Sequence, residues 1–274
     1  MKMNLLEFWE KIELPSKVIE KALELELDEQ EYQNICNIYQ KNHEKYYQFV
    51  LEKKDSAVWF LLLYSRMACE VYDKYSSLEI PEDVFWATFK DITFWCKNYE
   101  QEYGKIGLGA YEWFHRHIDM TLFRFGRLQF EPMIMESTVS DGIDMIPKGT
   151  SVINIHIPQG EPLIWSECEK SIQQAQRIWG DEIPYVCHSW LLYPGLKDIL
   201  SEKSNIREFS KHFHVLQIDF NEREAEWRIF GKVLKNISDY PEKTELQRKA
   251  KEYLLKGKCL GNGWSILDIK NGNS

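Results

Sequence analysis

The sequence predicts two domains of different class: α-helical over 1–118, then a mixed β-sheet flanked by helices over 119–274. Three observations predict this. Apolar residues recur at three-, four- and seven-residue steps as far as about residue 118. Beyond it the period falls to two. The later strand-like runs then alternate with helical ones, a pattern that needs a sheet covered on both faces. At 274 residues the chain has room for two modest domains.

Each element has its own signal. Tyr32, Ile35, Tyr39, Tyr46 and Phe49 make one buried helical stripe. Asp55 is placed to cap a helix from Ser56 to Tyr75 that buries Trp59, Leu63 and Met67. Pro81 opens a third helix running through Phe85, Phe89, Ile92 and Trp95. Glycines at 104, 107 and 109 punctuate the chain before a short helix from Tyr111 to Ile118. Leu122 to Met135 then alternates, with Phe123, Phe125, Arg127, Gln129 and Glu131 on one side. Gly142 and the Pro147–Gly149 segment mark a hairpin-like connection. Strands follow at Val152–Ile157, Tyr185–Leu192, Val215–Phe220, Trp227–Phe230 and Gly263–Ile269. Helices are expected at Ser166–Trp179, Asn205–Phe213 and Glu245–Leu255.

Composition narrows the function. A hydrophobic share of 44% and a charged share of 28% describe a globular chain. The net charge of −9 argues against a nucleic-acid partner, which needs a clustered basic surface. The longest apolar run, Ala57–Tyr64, falls far short of the about 20 residues that span a bilayer. The first residues run straight into an amphipathic helix rather than a signal peptide. Cys36, Cys69, Cys96, Cys168, Cys187 and Cys259 are scattered with no C-x-x-C pair. A cytoplasmic protein with no metal, no membrane and no disulfide framework is the expectation. Nothing in the sequence specifies an oligomeric state.

The chemistry is expected in one βαβ unit. Its two strands carry Asn154, His156, Cys187, His188 and Ser189, polar residues that a plain core strand would lack. Alternation puts Val152, Asn154 and His156 on one face and Ile153, Ile155 and Ile157 on the other. It also puts Arg127, Gln129 and Glu131 together. If the two polar faces coincide they form a pocket, with Glu131 or His156 as general base. The alternative is a buried hydrogen-bond network that fixes strand register. His188 is a third base candidate, and Ser189 faces away from it. Cys187 reads as a small buried hydrophobe, because no basic residue adjoins it to lower its pKa. His115 and His117, two apart on a helix, do not share a face for a metal.

Phe123–Glu131, Asn154–Pro158 with Gly160 and Pro162-Leu163, Cys187–Leu192, Ser204–Ile206 before Phe209, and Thr244–Arg248 together carry a family resemblance. The second half resembles the GNAT-like C-terminal domain of an acyltransferase-like family. The helical half looks like that family's N-acyltransferase N-terminal domain. The resemblance implies that acyl-CoA or acetyl-CoA inserts between the two polar strands and gives its acyl group to an amine on a small molecule or peptide. It implies cofactor contacts from Asn154, Ile155, Ile157, Gly160 and Ser189, acceptor contacts from Arg127 and Gln129, and catalysis by Glu131, His156 or His188. The chain also departs from the parent pattern. Its Pro158–Ser166 loop has one glycine, two prolines and no arginine where a glycine-rich pyrophosphate loop belongs. Ser166 with Glu169 reads as a capping box that would satisfy the helix start. Phe209 stands where a proton-donating tyrosine is common. The second reading is therefore a non-catalytic degenerate module that binds a small ligand or a protein partner.

Overall fold

The computed structural model describes residues 3–78 and 80–268. The chain forms two compact units, Met1–Arg124 and Phe125–Ser274.

The first unit is helical: α1 (Leu5–Lys11), α2 (Ser16–Leu23), α3 (Glu29–Lys41), α4 (His43–Leu51), α5 (Ser56–Ser77), α6 (Glu82–Phe89), α7 (Asp91–Tyr103) and α8 (His115–Ile118). The single stripe expected from Tyr32 to Phe49 is divided between two helices. Asn42 adopts an extended conformation and its side chain accepts from Lys45 N, which caps α4. Tyr32, Ile35, Tyr39 and Tyr46 are buried, whereas Phe49 is exposed. Asp55 sits at φ +57°, and its carbonyl accepts from Val58 and Trp59 at the start of α5. Leu63 and Met67 are buried on α5, with Trp59 half-buried. The helix expected from Pro81 through Trp95 is two helices, since α6 ends at Phe89 and α7 restarts at Asp91. The core is aromatic: Phe60 stacks on Tyr111 at 4.3 Å, and Phe8, Phe85 and Phe89 contact one another edge-on or tilted.

After β1 (Phe123–Phe125), which spans the boundary, the second unit contains β2 (Leu128–Ile134), β3 (Val139–Ser140), β4 (Met145–Ile146), β5 (Ser151–His156), α9 (Trp165–Trp179), β6 (Tyr185–Ser189), α10 (Asn205–Ser210), β7 (Phe213–Asp219), α11 (Glu224–Phe230), α12 (Glu245–Leu255) and β8 (Asn262–Leu267). The six-stranded sheet has the order β1-β2-β5-β6-β8-β7, and β3-β4 is a separate hairpin. β5 and β6 are parallel and joined through α9, while β2–β5, β6–β8 and β7–β8 are antiparallel.

Four expectations are corrected here. The alternation of 122–135 belongs to two strands, because Gly126 at φ +55° turns the chain between them. Arg127 therefore lies in the turn and not on the strand face of Gln129 and Glu131. The expected strand Trp227–Phe230 is the end of α11. Its buried residues Ala225, Glu226, Ile229 and Phe230 follow the helical period, and Gly231 at φ +76° ends it. The run Tyr185–Leu192 stops as a strand at Ser189, whose hydroxyl accepts from Leu191 N and opens a 3₁₀ turn. Finally, Ser166 does not cap α9: the cap residue is Ile164, with no side-chain hydrogen bond. The segment around Ile269 lies outside the described residues. Thr244 and Gln247 form a reciprocal capping box at α12.

No helix among the described residues is long and apolar enough to cross a membrane.

Candidate active site

Strand register decides which side chains share a face, because directly paired residues project to the same side. Gln129 pairs with His156 and Glu131 with Asn154, so all four project together. Asn154 pairs with Val186, which places Val186 and then His188 on that same face. His188 pairs with Trp264. One face of the sheet therefore carries Gln129, Glu131, Asn154, His156, His188 and Trp264. At its other end the face is apolar, where Met135, Val139, Ile146, Val152, Val186 and Leu216 form a core cluster.

The opposite face is wholly apolar around β5. Ile153 and Ile155 are buried, as are Phe130 and Tyr185, and Trp179 of α9 contacts Phe130. The β1–β2 turn is tied to α9 as well. Ser171 Oγ accepts from Arg127 N at 2.9 Å and donates to the Glu167 carbonyl at 2.9 Å. The Arg127 guanidinium donates to the carbonyls of Pro158 at 2.8 Å and Pro162 at 3.2 Å. It holds the loop before α9.

β5 and β6 separate at the level of the polar row. Their register covers only Ile153↔Tyr185 and Asn154↔Val186. Beyond that point β5 stays with β2 through His156, and β6 stays with β8 through Ser189. The fork is bordered by Ile155 and His156 on one strand and Cys187 and His188 on the other. Ile157 and Gly160 follow in the loop, half-buried and exposed.

Within the row, His156 Nε2 lies 2.8 Å from Glu131 Oε2 and 3.2 Å from Asn154 Nδ2. A carboxylate only accepts, so an Nε2 bonded to Glu131 carries a hydrogen, and the Asn154 Nδ2 contact, donor facing donor, is then not a hydrogen bond. These two side chains are 22% and 14% exposed, enough to meet a ligand. Gln129 is buried beside them. His188 differs from His156. Its ring stacks on Trp264 at 4.5 Å and 10°, which fixes its plane. Its Nε2 is buried with no hydrogen-bond partner. Burial holds its pKa below the usual histidine range, against the carboxylates of Glu222, Asp219 and Glu224. Burial thus favours its neutral imidazole form. Cys187 is fully buried, and burial pushes its thiol up, so it is no nucleophile.

Trp165, the first residue of α9, stacks on His212 at 3.5 Å and 3° and meets Phe209 edge-on. Phe209 is buried in this contact and supplies no proton. In the first unit, His117 is buried against Phe114 while His115 Nδ1 lies 2.8 Å from the Glu112 carbonyl, so the two do not converge. One grouping escaped the sequence reading. Asp141, Asp144 and His214 bring ligand-type atoms within 4.8 Å of one another on an exposed surface. They are 70 residues apart in sequence, and only the β3–β4 hairpin beside β7 joins them.

Residues 122–267 match the family described as the GNAT-like C-terminal domain. The chain belongs to that family. Residues 3–120 match the N-acyltransferase N-terminal domain. No curated protein matches the chain. Among solved structures, an acyltransferase in complex with decanoyl-CoA has a TM-score of 0.75 at 17% identity, covering 96% of this chain and 87% of that one. An acyltransferase in complex with decanoyl-CoA and teicoplanin has a TM-score of 0.74 at 19% identity, covering 95% and 87%. The fold of this GNAT-like chain is thus the fold of those proteins.

Proposed function

We propose that this GNAT-like protein transfers an acyl group from acyl-CoA to an amine, with His188 as general base. The observation that carries the reading is the fork between β5 and β6 with a neutral, unpartnered histidine on its edge. Membership of the family and the acyl-CoA complexes of structurally similar acyltransferases support it.

Residue by residue, the fork fits a pantetheine arm, whose amides can pair with strand backbone where β5 and β6 have parted. The start of α9 suits a pyrophosphate, because no side chain caps its N–H groups and the helix dipole is positive there. Glu167 in that first turn opposes an anion, but Lys170 pairs with it at 2.8 Å. Arg127 shapes the loop by holding two of its carbonyls. His188 Nε2 accepts a proton from the amine as the amine nitrogen bonds to the thioester carbonyl carbon. The C–S bond then breaks, the amide is released, and the thiolate leaves as CoA after taking a proton from the imidazolium. Asn154 positions the thioester. Glu131 and His156, coupled at 2.8 Å, orient the acceptor beside it. His156 is the weaker base candidate, because its Nε2 hydrogen is committed to Glu131.

The test is calorimetric titration with acetyl-CoA and decanoyl-CoA, followed by CoA release with a mixed amine panel. Micromolar binding and amine-dependent release are expected. Folded protein that binds neither thioester would turn the reading to the non-catalytic module.

A further inference from the structure

Asp141 and Asp144 stand in the turn of the β3–β4 hairpin, and His214 is the second residue of β7. The turn is built around Asp141. Its Oδ1 accepts from Ile143 N and Asp144 N, both at 2.8 Å, and Ser140 Oγ donates to the Asp144 carbonyl at 2.9 Å. Asp141 Oδ2 remains, 2.8 Å from His214 Nε2. Asp144 Oδ2 comes to 3.6 Å from that same nitrogen. All three ligand atoms lie within 4.8 Å of one another. Nε2 has one hydrogen to give, and two carboxylates face it. No lysine or arginine among the described residues pairs with either aspartate. The hairpin also sits over the functional face. His214 pairs with Ile266 and Ile266 with Val186, so His214 projects to the side of Asn154 and His188. There Val139 and Ile146 of the hairpin share one buried cluster with Val152, Val186 and Leu216.

We infer that Asp141, Asp144 and His214 form a site for a divalent first-row transition ion of the zinc type, which clips the hairpin to β7. One imidazole with two carboxylates suits zinc, whereas calcium and magnesium take oxygen-only shells. Zinc bonds of about 2.0–2.1 Å set neighbouring ligand atoms about 3.4 Å apart in a tetrahedron. The separations of 2.8 Å and 3.6 Å bracket that value. On binding, the ion replaces the Nε2 hydrogen, which leaves to solvent as a proton. Water fills the fourth position, since all three residues are exposed. The ion fixes the hairpin over the apolar end of the sheet face whose other end carries Asn154 and His188. The site does not depend on acyl transfer.

The experiment uses the full chain without an affinity tag, and zinc chloride as the probe. Calorimetry should show micromolar or tighter zinc binding, with magnesium and calcium at least about a hundredfold weaker. His214→Ala and Asp144→Asn should each weaken zinc by at least about tenfold. Both variants should fold, because these side chains lie at the surface. Cys259→Ser, at the exposed cysteine, should leave binding unchanged. Zinc at about 100 times its Kd should raise the melting temperature of the wild type by several degrees and leave that of His214→Ala where it is. Cobalt in the same site should give visible bands with no thiolate charge-transfer band. Equal zinc affinity in the wild type and folded His214→Ala overturns the site, as does magnesium or calcium binding as tight as zinc. A thiolate band with cobalt also overturns it. A wild-type melting temperature indifferent to bound zinc overturns the clip.

Discussion

The two faces of β5 are built from one alternating sequence and end up with opposite duties. Ile153 and Ile155 are 2% and 1% exposed against the α9 side, and nothing polar interrupts them. On the other face Val152 belongs to an apolar cluster, but Asn154 and His156 follow it and the cluster stops. The change in composition falls at the level where β5 and β6 part. An apolar face stabilises by excluding water, at about 25 cal/mol per Å² of apolar surface. A polar face in the same position must complete its hydrogen bonds, and here it does so incompletely: Asn154 Oδ1 and His188 Nε2 have no partner. The stable face therefore holds the reactive one in place, and substitutions should separate the two by what they damage.

The largest separation is expected from His188→Asn. Loss of a general base lowers kcat about 10²–10⁴-fold. The melting temperature should fall only slightly, since His188 makes a stacking contact and no hydrogen bond at Nε2. Steady-state CoA release beside a melting curve measures both. Retained activity would place the base elsewhere on the face, at His156.

Ile155→Ala is the mirror case. Deleting a buried isoleucine from a well-packed face costs about 2–5 kcal/mol, and denaturant titration should show it as a lower midpoint with unchanged slope. The acyl-transfer rate per folded molecule should change far less than in His188→Asn. A variant with normal stability and lost activity would mean that the two faces are not separable.

Arg127→Leu comes next. It removes two hydrogen bonds to loop carbonyls that a charged donor makes, each worth about 1.5–3 kcal/mol. The loss should appear in acyl-CoA affinity, through the loop before α9, more than in kcat. A kcat defect with unchanged affinity would return Arg127 to the acceptor side.

Much of this arrangement was legible from residues alone, and the failures have physical reasons. The coincidence of Glu131, Asn154 and His156 follows from alternation in two neighbouring strands, and the register Glu131↔Asn154 realises it. Arg127 was misplaced because alternation continues through a tight turn as though the strand did. Only the left-handed Gly126 marks the break, and a glycine in a strand pattern has several readings. Trp227–Phe230 was read as a strand from four residues, too few to separate a period of two from 3.6. Its buried set from Ala225 onward settles the matter. The contact of Asn262 with Glu222 and Glu224 was invisible because the residues lie about forty apart in sequence. Likewise, no local feature distinguishes His188 from His156. Pairing with Glu131 in one case and stacking on Trp264 in the other gives them different surroundings.

The smallest expected effect is the pH response, and it bears on that same difference. Burial lowers the pKa of His188, and also those of His212 and His115, below the ordinary 6.5. A lowered histidine pKa means that the folded chain binds fewer protons than the unfolded chain once pH drops below about 6.5. Stability is thus level above the unfolded value and falls as pH falls through it, flattening again below the folded value. The melting temperature should drop by a few degrees between about pH 7.5 and 5.5, and the drop should shrink in His188→Asn, which cannot titrate. In kcat/KM the same shift acts the other way: the base stays unprotonated, so the acidic limb attributable to His188 should lie below 6.5. The part of the stability response lost in His188→Asn and the acidic limb come from one group and must move together. An acidic limb above 6.5 with a normal stability curve would mean that the active base is ordinary and partnered, and the distinction drawn between the two histidines of the polar face would be lost.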